Sequence, residues 1–106
     1  MKILIIILLS LALTGTARGS SIADELCPNI AELASNVMSA RHRGVTMDRL
    51  YAATIENMND QAAIDMTRLI IQDAFSTPRY STERAREQSI TEFRSKWFRL
   101  CIQHAS

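Results

Sequence analysis

The scarcity of helix-breaking residues constrains this chain more than any other feature. Beyond residue 23 it contains one glycine, Gly44, and two prolines, Pro28 and Pro78. No segment there alternates strictly between apolar and polar residues, as a half-buried β-strand would. The same region has no internal repeat and no low-complexity stretch. These patterns predict an all-α fold.

Apolar residues recur at helical spacing in four segments that short breaks separate. A proline is tolerated at the first position of a helix, and a glycine is a common stop, so the first helix is predicted between Pro28 and Gly44. Thr46 and Asp60 are suitable N-caps for the second and third helices. The predicted helices cover 28–42, 46 to about 58, 60–76, and 81 or 82 to about 103.

Four helices with short connections favour an antiparallel up-down-up-down bundle. In that arrangement the start of the first helix and the end of the last lie at the same end of the bundle. Cys27 and Cys101, the two cysteines of the chain, occupy those two places. The sequence therefore predicts a four-helix up-down-up-down bundle closed by one disulfide, with two buried free thiols as the alternative.

Residues 1–23 have the order of a secretory signal peptide: a basic Lys2, an apolar run at 3–13, then small and polar residues. We expect cleavage after Ala23, with a cut after Ala17 as the alternative, so 24–106 would form a single helical domain. A spanning helix needs about 20 apolar residues. Because the run here is shorter, an uncleaved signal that anchors the chain in a membrane is the weaker expectation.

The net charge of the chain argues against nucleic acid as a partner. Loss of Lys2 and Arg18 with the signal leaves ten Lys and Arg against eleven Asp and Glu, a net charge of about −1. A chain this close to neutrality has no strong electrostatic attraction for nucleic acid. We therefore expect no nucleic acid partner, and contact with a membrane only through an uncleaved signal.

Sequence signatures of catalysis and of cofactor binding are missing. The chain has no G-x-S-x-G, no glycine-rich phosphate loop and no H-E-x-x-H, and its cysteines do not form C-x-x-C. His42 and His104 fall at opposite ends of the predicted bundle, which argues against a metal site. The acidic residues just before Cys27 also argue against a lipid anchor. We expect no enzyme, no metal and no cofactor.

Four residues stand out as partner-binding candidates. Leu69 falls on the polar side of the third helix, and Phe98 lies at the edge of the apolar arc of the fourth. Arg79 and Tyr80 lie in the predicted loop between those helices, at the start of a run of late basic residues. An aromatic residue beside an arginine is a common anchor at protein interfaces, here for an acidic partner. The alternative is an ordinary solvated surface.

Two stretches, "CPNIAELASNVMSARHRGVTMDRL" and "DAFSTPRYSTERAREQSITEFRSKWFRLC", resemble a loose group of short exported proteins from proteobacteria and their phages. Members have a signal peptide, an early cysteine, a helical body and a cysteine near the end. The resemblance implies export and a helical fold, and it transfers no activity and no site residues. In size, export and cysteine pair the chain is also similar to periplasmic acid-stress chaperones.

These patterns together predict a small exported helical protein without catalytic activity, which binds or modulates a protein partner in the bacterial envelope. The expected compartment is the periplasm, with full secretion as the alternative. Two other functions stay open at this point: a periplasmic acid or stress chaperone, and a small protein anchored by its uncleaved signal.

Overall fold

The computed structural model describes residues 24–105, and the predicted signal peptide at 1–23 lies outside them. The described chain forms four helices. They are α1 (residues 24–42), α2 (Met47–Ile55), α3 (Gln61–Ser76) and α4 (Glu83–Ala105). The predicted all-α class is confirmed.

Local signals end and begin these helices. Gly44 takes a φ of +89°, which an L side chain rarely adopts. The turn after α1 is a Schellman motif, in which the N–H of Gly44 donates to Arg41 O and that of Val45 to Ala40 O, both at 3.1 Å. Asp60 Oδ2 accepts from the N–H of Ala63 at 3.1 Å, so the cap predicted for α3 is confirmed.

Two boundaries, the start of α1 and the end of α2, differ from the prediction. Residue 24 is already helical, so Pro28 lies one turn inside α1 rather than at its start. A proline there has no N–H to donate to the carbonyl oxygen of Asp24, four residues earlier in the helix. Thr46 stands at the N-cap of α2 with extended backbone, but its side chain caps no N–H, and α2 ends at Ile55. Thr82 Oγ1 accepts from the N–H of Ala85 at the start of α4.

The bundle has the predicted up-down-up-down topology. α1 packs against α3 and α4, and α2 packs against α3. Cys27 in the first turns of α1 is bonded to Cys101 near the end of α4, with their Cα atoms 5.5 Å apart. Both predictions, the topology and the disulfide, are confirmed. A disulfide-bonded helical domain suits an oxidising, extracytoplasmic compartment.

The core runs along the facing sides of α1, α3 and α4. Its buried members come mainly from the predicted apolar arcs, with small residues of α1 allowing close approach of the helices. α2 contributes one fully buried side chain, Leu50. The buried core is Ala34, Val37, Met38, Ala40, Leu50, Ile70, Ile71, Ala74, Phe93 and Trp97.

One polar junction fixes the register of α3 against α4. Asp73 Oδ2 accepts from Lys96 Nζ at 2.7 Å and from the indole Nε1 of Trp97 at 3.0 Å. Burying the Trp97 ring requires an acceptor for its N–H, which Asp73 supplies. The same contact removes Lys96 from the set of free basic residues that the sequence suggested.

Candidate partner-binding surfaces

An apolar cleft opens at the disulfide end of the bundle, between the start of α1, the middle of α3 and the end of α4. Its volume is about 410 Å³. Pockets of this size hold small ligands or a few large side chains of a partner. We call it the apolar cleft; it is lined by Leu26, Ile30, Met66, Leu69, Trp97, Leu100, Cys101 and His104.

Two leucines stand on opposite walls of the apolar cleft. Leu69 on α3 is 55 % exposed and Leu26 on α1 is 48 % exposed. Sequence analysis picked out Leu69 as an isolated apolar residue on a polar face. The structure instead makes it part of a continuous apolar surface that also includes the buried ring of Trp97. Contiguous exposed apolar surface is typical of an interaction site, unlike a single exposed leucine.

Sequence reasoning missed Leu26 because it set the start of α1 at Pro28. With that boundary Leu26 fell outside the helices and had no predicted face. Because residues 24–42 are helical, Leu26 and Ile30 lie one turn apart on the same side of α1. The missing signal was therefore the helix boundary.

Phe98 lies elsewhere, in a shallow groove along the outer seam of α1 and α4. It is 37 % exposed. Pro28 and Ala31 line the groove from α1, and Arg94 and Arg99 line it from α4. The structure therefore does not bring Phe98 together with Leu69, and each belongs to a separate surface.

Arg79 and Tyr80 lie at the end of the bundle opposite the apolar cleft. The guanidinium Nη2 of Arg79 donates to the carbonyl oxygen of His42 at 3.4 Å. The centre of the Tyr80 ring is 6.0 Å from the centre of the His42 imidazole. The backbone carbonyl oxygen of Tyr80 accepts a hydrogen bond from Arg86 Nε at 2.9 Å. Through these contacts the side chains of Arg79 and Tyr80 hold the connection between α3 and α4 against the end of α1. Tyr80 is nevertheless 39 % exposed.

His42 is the unexpected residue of this region. The sequence predicts it at the C-terminal end of the first helix but does not predict its burial. In the structure it is only 3 % exposed, and neither ring nitrogen has a hydrogen-bond partner among the described residues. Burial lowers the pKa of His42 below 6.5, and the positive charges of Arg86, Arg41 and Arg79 lower it further. The neutral imidazole is therefore the form that the fold favours.

Arginines from four parts of the chain meet at this end. In the sequence, the late basic residues form one run along the chain. In the fold, the basic residues that lie close together are those at neighbouring helix ends. α1 ends, α2 begins and α4 begins here, and the 77–82 connection crosses it. We call this region the basic end; it comprises Arg41, Arg43, Arg49, Arg79, Arg84 and Arg86.

Residues 24–105 contain no group of three or more His, Cys, Asp or Glu side chains placed to hold a metal ion. In the same range, no helix has the length and apolar character needed to cross a membrane.

Comparison with known proteins gives no match: no family model, no curated protein sequence and no solved structure matches the chain. The resemblance to short exported proteobacterial and phage proteins therefore stays a prediction.

Proposed function

We propose that this protein is a non-enzymatic binding factor of the bacterial envelope that holds an amphipathic helix of a partner protein in the apolar cleft. The observation that carries the proposal is the exposure of Leu69 and Leu26 on two walls of one apolar concavity. Filling that cleft would remove both side chains from water, a gain of about 25 cal/mol for each Å² of apolar surface buried.

The shape of the apolar cleft favours a helix as the occupant. Its walls are helices, and each presents residues spaced by three or four positions, as Leu26 and Ile30 or Met66 and Leu69 do. Ridges of this spacing accept the ridges of another helix. Helix-in-groove binding uses the same geometry, with apolar anchors on one face of the bound helix.

The disulfide supports an extracytoplasmic site of action, and we propose the periplasm after removal of residues 1–23. A disulfide that joins the first and last helices would be reduced in the cytosol. The order of residues in the signal-like segment at 1–23 also supports export from the cytosol.

Photo-crosslinking in living bacteria tests the proposal. A crosslinking amino acid replaces Leu69 on the wall of the apolar cleft, and in a matched strain it replaces Ile102, another exposed apolar residue, on α4, that does not line the cleft. We expect a discrete adduct from position 69 and none from position 102. The same adduct from both positions, or from neither, contradicts the proposal.

Affinity measurements with the partner identified by crosslinking complete the test. Leu69→Glu places a charge in an apolar interface, and we expect at least tenfold weaker binding. Ile102→Glu should leave the affinity unchanged. Since both side chains are exposed, neither substitution should lower the melting temperature appreciably.

A second candidate, an acid-stress chaperone, is favoured by the environment of His42. Its imidazole is buried, has no acceptor, and faces the charges of Arg41 on α1, Arg79 in the connection and Arg86 on α4, with Tyr80 as the remaining titratable neighbour. Because the pKa of His42 is lowered in the folded state, the fold keeps its full free energy of unfolding above pH 6.5, where the imidazole is neutral. That stability is lost as the pH falls from 6.5 towards the folded pKa.

Apolar-dye fluorescence and aggregation assays between pH 7 and pH 4 separate the two candidates. A chaperone should bind dye and keep an acid-denatured client dispersed at pH 4, and His42→Leu, which cannot titrate, should do both less. If the protein stays packed at pH 4 and prevents no aggregation, the chaperone function is excluded.

A further inference from the structure

The charges of the bundle are divided between its two ends. Six of the ten Lys and Arg that follow residue 23 lie at the basic end, where the carboxylates are Asp48, Glu83 and Glu87. The end that carries the apolar cleft holds five carboxylates and one arginine near the disulfide: Asp24, Glu25, Glu56, Asp60, Asp65 and Arg99. A chain with a net charge near −1 is therefore strongly polarised along its helices. Such a charge distribution orients a molecule in the field of a charged surface.

The basic end is not neutralised from within. In residues 24–105 no carboxylate lies within ion-pair distance of its six arginines, and the ion pair that the structure does contain joins Lys96 to Asp73 elsewhere. Arg43, Arg49, Arg79 and Arg84 are exposed. Burial lowers the pKa of the neighbouring His42, and the positive charges of Arg86, Arg41 and Arg79 lower it further.

We propose that the basic end docks peripherally on a membrane surface rich in anionic phospholipid. The exposed side chains of Arg43, Arg49 and Arg84 contact lipid phosphates, and Tyr80 lies at the level of the headgroups. The apolar cleft, at the opposite end of the bundle, then faces away from the membrane and stays open to a protein partner. Membrane docking is independent of the function proposed for the cleft, because it uses different residues at the other end.

Three features favour a phospholipid surface over an acidic protein. The arginines belong to four separate segments arranged around the end of the bundle, and none of them lines the apolar cleft or the groove at Phe98. Charges spread in this way, outside any groove, suit a broad anionic surface. All six cations are arginines, whose planar guanidinium forms paired hydrogen bonds with phosphate. Tyr80, exposed among them, is a residue type enriched at membrane–water interfaces.

Vesicle binding tests the proposal with the exported, disulfide-bonded protein. Affinity is measured by co-sedimentation with vesicles of phosphatidylcholine alone and with vesicles containing phosphatidylglycerol. We expect a large preference for the anionic vesicles, which high salt removes because the contacts are exposed to solvent. Equal binding to both compositions, or binding that is unchanged by salt, overturns the proposal.

A matched pair of triple variants locates the contact. Arg43, Arg49 and Arg84 are exposed, and Arg43 has one side-chain hydrogen bond, to Ser39, so replacing all three with Gln leaves the core intact. Each arginine near an anionic membrane contributes about fivefold to affinity, and the loss should be on the order of 100-fold.

The control variant replaces Arg68, Arg94 and Arg99 with Gln, which changes the net charge equally but away from the basic end. It should retain most of the binding, and both variants should keep the melting temperature of the parent. An equal loss in the control shows that net charge alone drives binding and overturns the proposal. Binding to polyglutamate beads but not to anionic vesicles overturns it too, and assigns the basic end to an acidic polypeptide.

Discussion

Removal of the disulfide should have the largest effect of any change to this protein. Cys27 and Cys101 are 74 residues apart in the chain and both are buried. The double variant Cys27→Ala/Cys101→Ala leaves the helices and their faces unchanged but releases the chain ends in the unfolded state. In the chain-entropy model, closing a loop of this length stabilises the fold by about 4.5 kcal/mol.

This value is large beside the total stability of a domain of this size, about 5–15 kcal/mol. For 60–100 residues, 1 kcal/mol corresponds to a shift in melting temperature of about 4–8 °C. The double variant should therefore melt at least about 18 °C below the oxidised parent, or be unfolded at 37 °C.

Circular dichroism at 222 nm during heating and urea unfolding measures the difference. The double variant is first compared with the oxidised parent. It is then compared with parent that has been unfolded, reduced and refolded in the presence of reductant. The reduced parent should resemble the variant. A difference below about 1 kcal/mol between oxidised parent and variant would refute the loop-closure reasoning, because the two chains would then differ little in unfolded-state entropy.

Substitutions at four other positions test individual contacts by the same unfolding measurements. Asp73→Ala leaves the partly buried Trp97 N–H without its acceptor and should cost about 2 kcal/mol, whereas Lys96→Ala, which removes only an exposed ion pair, should cost less than about 1 kcal/mol. Gly44→Ala forces a Cβ onto a backbone at φ +89° and should cost about 1–2 kcal/mol, with Gly44→Asn milder. Asp60→Ala removes the cap of α3 and should cost about 1 kcal/mol. A value within error of zero for Asp73→Ala, Gly44→Ala or Asp60→Ala contradicts the contact that the substitution tests.

Features encoded by neighbouring residues were predictable from the sequence. The cap at Asp60 and the stop at Gly44 depend on a few adjacent residues and their backbone preferences, so α3 and the end of α1 were placed correctly. The pairing of Cys27 with Cys101 followed from helix count and connection length. Four helices joined by short turns leave few arrangements, and the simplest brings these two cysteines together.

Features that depend on which helix ends meet were not predictable from local patterns. The burial of His42 arises because the 77–82 connection folds over the end of α1, a contact between residues almost forty positions apart. The basic end arises in the same way, from arginines at three helix ends and in the 77–82 connection. Leu69 shows the difference most clearly, since its exposure was foreseen from periodicity, but its neighbours across the apolar cleft were not.

The position of the disulfide has a consequence for how the chain could be rewired. The first and last helices are already joined where their Cα atoms lie 5.5 Å apart, so a short peptide linker there could replace the sulfur bridge. New termini could then be opened in the 56–60 turn between α2 and α3, an exposed stretch outside the helices. Such a circular permutant would keep the closure between α1 and α4 in its backbone, and its stability would no longer depend on an oxidising environment.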